Sequence, residues 1–242
     1  MRHLLVPGAA FALLTALGEL LVASVDLLPL NPAMAREAVV SDDALRLLFA
    51  LAVPVGAFTL AALLYGIWAF RRRGDPAEDG PPLRGHRAVT VAWLVVTTAL
   101  CLVVIVNPGI TGLAAMAQSG EADLVVGIAA QRWSFSSSYP QHGVTKAKEL
   151  VLPVNRRVRL ELTAVDVVHG VWIPAFRVKK DAVPGITTAM YVTPTRLGSS
   201  DGAVNLQMQC SQLCGLAHST MTMPVRVVTD AEFQAWVARN KG

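Results

Sequence analysis

Apolar residues follow two regimes along the chain. Up to about residue 117 they form long runs; beyond it they form short runs punctuated by Pro, Gly, Ser and Asn. Three long segments fill the first half. They are Leu4–Leu30, interrupted by Glu19 and Asp26, Ala44–Phe70, with Arg46 as its early charge, and the uncharged Ala88–Val106. A membrane-spanning helix needs about 20 apolar residues. The second and third segments meet that length, and a soluble core helix so long would keep a polar face. The first has two readings. Arg2 ahead of the run and Ala33-Met34-Ala35 behind it suit a cleaved signal peptide. Its length and its two acids suit a retained membrane helix. The expected organisation is a signal peptide or first membrane helix over 1–35, then two transmembrane helices over 44–117.

The second half changes period. Asp123–Ala130, Val158–Val165, Thr187–Val192, Val204–Met208 and Pro224–Val228 are short apolar or β-branched runs, the pattern of strands in a sandwich or barrel. This domain is expected over 118–229. Thr229-Asp-Ala-Glu232 has capping-box spacing, and Phe233, Trp236 and Val237 share one helical face. A short terminal helix packed on the sandwich is predicted over 230–242.

Composition sharpens this division. Hydrophobic residues make up 53% of the 242 and charged residues 16%, which excludes a disordered chain. The net charge of +4 invites a nucleic-acid reading, but its position argues otherwise. Residues 1–117 carry 8 Lys+Arg against 8 Asp+Glu; residues 118–242 carry 13 against 9. In the first half, Arg71, Arg72, Arg73, Arg84 and Arg87 lie between two spans, which marks that loop as cytoplasmic. The β domain then lies outside the membrane, and no nucleic-acid partner is expected.

Chemistry concentrates in Cys210-Ser-Gln-Leu-Cys214-Gly-Leu-Ala-His218-Ser-Thr-Met221. Two thiols, an imidazole and a thioether fall within one short stretch, and soft sulfur with imidazole selects copper, zinc or iron. His169, after a strand-like run, offers a second imidazole. Several arrangements fit. The residues could share one helix face, although Gly215 opposes that. Cys210 and Cys214 could pair as a disulfide on the oxidising side of the membrane. His169, Cys210, Cys214 and His218 could hold a structural zinc, leaving Met221 unused. A blue copper site would leave one thiol over. Two thiols, two imidazoles and a thioether form an inventory suited to two coppers, with both thiolates bridging.

At these residues the chain resembles cytochrome c oxidase subunit II, whose binuclear copper (CuA) motif is C-x3-C-x3-H-x2-M. The likeness extends to Asp166-Val-Val-His169, to Val178-Lys179-Lys180-Asp181-Ala182-Val183-Pro184-Gly185, and to Gln131-Arg132-Trp133-Ser134-Phe135 followed by Tyr139-Pro140. The resemblance implies a cupredoxin sandwich behind membrane helices. It implies two copper ions on Cys210, Cys214, His169, His218, Met221 and the backbone carbonyl of Gln212. It makes Trp133 the residue that receives electrons. Cytochrome c or a similar donor would supply them, and a haem–copper catalytic subunit I would take them to reduce O2. The setting it implies is a prokaryotic plasma membrane, crossed several times, with the copper domain outside.

Three departures bear on function. Gln212 replaces a Glu that in the family helps bind magnesium, and a neutral amide is a poorer Mg²⁺ ligand, which puts magnesium in doubt. Thr90 replaces a frequent Glu, and Ser134 and Phe135 thin the aromatic stretch. These keep a nitric oxide reductase copper subunit as an alternative. A copper chaperone or storage protein and a zinc-stabilised structural module are alternatives from other classes. The outer domain's net positive charge also suits a neutral or acidic donor better than a basic cytochrome c.

Overall fold

The computed structural model describes residues 2–24, 32–71, 85–116, 121–201 and 206–242. It divides into two units, one of residues 1–27 with 43–114 and one of 28–42 with 115–242.

The first unit is helical. Helix α1 runs Arg2–Ser24, α2 Arg36–Ala69 and α3 Arg87–Val104. Among the described residues, these three lie in stretches long and apolar enough to cross a membrane. None of the α3 residues is buried, so its apolar surface faces lipid or a partner. The chain leaves helical geometry at Asn107, ahead of Pro108, because a following proline disfavours the helical region. A short helix α4, Thr111–Met116, follows. Arg72, Arg73 and Arg84 of the expected cytoplasmic loop lie outside the described residues. At 34 residues, α2 is about 51 Å long, well beyond a hydrocarbon core of about 30 Å. About half of the excess lies at its start, since the residues up to Asp42 belong to the β unit.

The second unit is a two-sheet sandwich. Its strands are β1 Leu124–Gln131, β2 Ser134–Tyr139, β3 Val144–Ala147, β4 Leu150–Pro153, β5 Val158–Ala164 and β6 His169–Ile173. They continue as β7 Val178–Ala182, β8 Thr188–Val192, β9 Gly198–Ser199, β10 Gln207–Cys210 and β11 Thr222–Val228. One sheet has the order β3-β2-β1-β5-β8; the other runs β4-β11-β10-β6-β7, with β9 beside β11. Pairing is antiparallel except at β1–β5 and β4–β11. Alternation explains the layers: Leu124, Val126, Ile128 and Ala130 point inward, as do Val158, Leu160, Leu162 and Ala164 on the parallel neighbour. The architecture is the two-sheet β sandwich, behind long apolar helices and ahead of a short terminal helix, that the sequence leads one to expect.

Two elements close the domain. Helix α5, Asp230–Asn240, starts at the expected capping box, with Thr229 accepting from the Glu232 amide and Glu232 accepting from that of Thr229. It buries Phe233, Trp236 and Val237, each large side chain worth about 1.5–3 kcal/mol. Trp236 meets Tyr139 edge-on at 4.9 Å, and its Nε1 donates to Glu149 at 2.7 Å. At the other end, residues 34–42 are stitched onto the sandwich. Met34 N donates to Ala175 O, Thr195 N donates to Met34 O, and Ala35 bridges Pro194. Glu37 accepts from Thr193, and the buried Arg177 pairs with Asp42 at 3.0 Å.

Candidate metal centre

The β10–β11 hairpin builds the site. Cys210 ends β10, and its N–H donates to the carbonyl of Met221 at 3.0 Å, closing the intervening loop at its base. The loop carries Gln212 and Cys214, then a single 3₁₀ turn, His218–Thr220, before Met221. Apart from that turn the segment is not helical, so the ligands do not line one helix face. His169 opens β6, next to β10 in the sheet. The register sets Cys210 opposite Val171, and Ser211 N donates to Gly170 O at 3.0 Å, so the start of β6 lies against the metal loop.

All six donors named from the sequence converge. Cys210 Sγ lies 3.8 Å from His169 Nδ1, 3.2 Å from the Gln212 carbonyl and 3.7 Å from Cys214 Sγ. Cys214 Sγ lies 3.7 Å from His218 Nδ1 and 3.8 Å from Met221 Sδ. Each thiol therefore has its own imidazole and its own weak donor. His169 Nδ1 and the two Sγ atoms lie within 4.8 Å of one another. The spacing suits metal. Bonds of roughly 2.3 Å to sulfur and 2.0–2.1 Å to nitrogen, opened to about 120°, set S and N about 3.8 Å apart. Both cysteines are free thiols rather than a disulfide.

The surroundings tune these donors. Burial, reinforced by the neighbouring Cys210 thiol, pushes the Cys214 thiol up to about 11. A metal would have to displace that proton to bind the thiolate. His169 is fully buried, and its Nε2 donates to Asp166 Oδ1 at 2.9 Å. That bond and one from the Arg132 backbone N–H hold the Asp166 carboxyl well below the usual carboxylate range. The Arg132 side chain completes the pair at 3.0 Å. Sequence reasoning did not assign Asp166 a site role, although its place three residues before His169 carried the signal. It also passed over Asp181, whose carboxylate accepts from the Gln212 amide at 3.1 and 3.2 Å. This bond ties down the side chain while the Gln212 carbonyl faces Cys210.

Two glycines are required. A Cβ on Gly170 would collide with the Ser211 hydroxyl and stand 3.1 Å from the Gln212 amide nitrogen. Gly215 has φ +124°, and a Cβ there would press at 3.3 Å on the indole of Trp133. The structure thus places Trp133 directly over the residue that follows Cys214. The indole is 40% exposed, so it links the metal loop to solvent.

These features define a class: a β domain with a buried sulfur–imidazole metal site, following helices suited to a membrane. Comparison with known proteins narrows it. The profile of the family described as cytochrome c oxidase subunit II, periplasmic domain, matches residues 131–228. Cytochrome c oxidase subunit 2 of Thermostichus vulcanus is 31% identical over 74% of this chain and 55% of its own length. That of Alkalihalophilus pseudofirmus is 30% identical over 73% of this chain and 52% of its own. The crystal structure of the periplasmic domain of cytochrome oxidase subunit II from Bradyrhizobium japonicum is 33% identical over 50% of this chain and 96% of that one, with TM-score 0.45.

The chain belongs to the cytochrome c oxidase subunit II family. It is a membrane protein with an extracytoplasmic β domain, and it spans about half the length of the two relatives named above.

Proposed function

We propose that this chain is the electron-transfer subunit of a haem–copper oxidase, holding two copper ions in a CuA centre. The observation that carries the reading is the division of the donors into two matched sets: Cys210 with His169 and the Gln212 carbonyl, and Cys214 with His218 and Met221. One mononuclear site would have no use for the second thiol, imidazole and weak donor. Copper, when bound, would supply a one-electron couple.

The chain's own residues supply the rest. Cys210 and Cys214 would supply the thiolates, His169 and His218 would ligate through Nδ1, and Met221 and the Gln212 carbonyl would serve as the weak donors. Burial of both thiols and of His169 excludes water, and the Cys210 N–H to Met221 carbonyl bond closes the loop that carries the ligands. Trp133 receives the electron at the surface, from cytochrome c or a similar small carrier. The electron leaves to a haem–copper catalytic subunit I, where O2 is reduced. The domain faces the outer side of a prokaryotic plasma membrane. Magnesium has no part in this reading, because the Gln212 amide donates to Asp181 where a cation would need an oxygen ligand.

The test is to load the full chain with copper, count the metal and record its EPR spectrum. Two coppers sharing one unpaired electron are expected. One copper with a localised Cu(II) signal, or one colourless zinc, would overturn the reading.

A further inference from the structure

We infer that the electron donor is a small acidic protein, docking on a basic groove lined by residues that flank the Arg132-Trp133 turn and by those that follow Met221. The inference rests on the electron-transfer reading above and names the partner of that site.

A groove of about 360 Å³ opens on the surface of the sandwich. Gln131 and Ser134, on either side of the Arg132-Trp133 turn, line one part of it. Thr222 and Met223, directly after Met221, line another. Its lining therefore includes Ser134, next to the exposed indole in the chain, and Thr222, next to the ligand candidate Met221. Lys146 of β3 and Lys148, just after that strand, also line it, and none of its lining residues is acidic. Both lysines are exposed, and neither has an ion-pair partner among the described residues.

The nearby acids are occupied. Asp166 is shared by Arg132 and His169, Asp181 accepts from Gln212, and Glu149 accepts from Trp236 and pairs with Arg226. Among the described residues, the groove thus offers two unpaired lysines and no carboxylate in its lining. Apolar contact is available as well. Val165, 69% exposed, lines the groove, and Leu216, 95% exposed, follows the glycine beneath the indole. An apolar centre with a charged rim is the composition of a transient docking site, and the sign of the rim selects the partner. A basic carrier would be repelled, while an acidic one would be steered onto the residue nearest the metal loop.

The experiment uses the full chain in detergent, copper-loaded, with two reduced small cytochromes of similar potential, one net negative and one net positive. Stopped-flow reduction at low ionic strength should be faster with the negative cytochrome and should slow as salt rises. K146E/K148E should slow that donor by about tenfold, with the copper spectrum as the folding control. Calorimetric titration of each cytochrome into the metal-free chain reads docking independently of copper, and only the negative one should bind. Faster transfer from the positive cytochrome, salt-independent rates, or an unaffected K146E/K148E would overturn the inference. Reduction by dithionite separates the two questions. If dithionite reduces the centre but the donor preference is reversed, the docking surface alone is wrong. If no redox-active copper is present, the functional reading fails and this inference with it.

Discussion

Asp166 accepts a hydrogen bond from Nε2 of His169 at 2.9 Å, which leaves Nδ1 as the lone-pair nitrogen turned toward Cys210. The carboxylate thus fixes both the tautomer and the ring angle of a buried ligand, and Arg132 fixes the carboxylate. Asp166→Asn should keep the fold but weaken the orientation of His169. Loss of such a supporting group costs about 10–100-fold in metal affinity. Competition titration with a chelator would measure it. Copper held as tightly as in the parent would show that Asp166 does not position the ligand.

Met221 lies against Cys214 alone among the two thiols, at 3.8 Å, and it is buried. A thioether in a weak ligand position adjusts a copper's potential more than it anchors the metal. Met221→Leu preserves volume closely, so core packing should be little disturbed. The expected outcome is retained copper with a shifted reduction potential, measured by spectroelectrochemistry. A variant that loses its copper would make Met221 a primary ligand instead.

Gly170→Ala tests whether the loop depends on close backbone approach. The new Cβ would occupy the space of the Ser211 hydroxyl and crowd the Gln212 amide, so the loop would have to move. Overpacking of this kind costs about 1–3 kcal/mol, and here the displaced segment carries two donors. We expect poor copper loading with circular dichroism close to the parent. Full loading with an unchanged EPR spectrum would show that the loop can absorb the methyl.

The fold was legible in the sequence where burial imposes a period. The β1, β5, β8 and β11 runs, the long apolar helices and the Thr229 capping box all stand out. β2 was missed because Ser134-Phe-Ser-Ser-Ser-Tyr139 reads as a polar linker; only Phe135, Ser137 and Tyr139 turn inward. β7 was missed because Lys179, Lys180 and Asp181 interrupt it on an exposed edge. Of the strand expected at Val204–Met208, Val204 and Asn205 lie outside the described residues; β10 runs Gln207–Cys210, because the ladder with β6 extends to the first cysteine. In the site, the ligand spacing was readable because one hairpin carries five of the six donors. Asp166 and Asp181 were not assigned, because their roles depend on which strands become neighbours.

Residues 34 and 35 bear on processing of the first segment. Cleavage after Ala35 would remove Met34 and Ala35, which are buried in the β unit, where Met34 hydrogen-bonds to Ala175 and Thr195 and Ala35 stands opposite Pro194 in a β-bridge. Filling that place costs nothing if the segment stays, so retention of α1 as a membrane helix is expected. Intact-mass measurement of the membrane-extracted protein would decide. A mature chain starting at Arg36 would refute retention.

The last expectation concerns acid. The backbone N–H of Thr229, with its hydroxyl, holds Glu232 below the usual carboxylate range. A carboxyl depressed in the folded state stabilises the fold above its ordinary unfolded value of about 4.3. That contribution shrinks as pH falls through this range toward the depressed value, where the folded carboxylate also takes up its proton. Glu232→Gln keeps the shape but removes the titrating charge. The parent's advantage over the variant should therefore be full near neutral pH and fade below about pH 4. Hydrogen exchange at the amides of Phe233, Trp236 and Val237 reads it locally, since these residues carry the buried face of α5. A difference between parent and variant that stays constant from neutral pH to pH 3 would mean that the capping carboxylate is not what ties α5 to the sandwich.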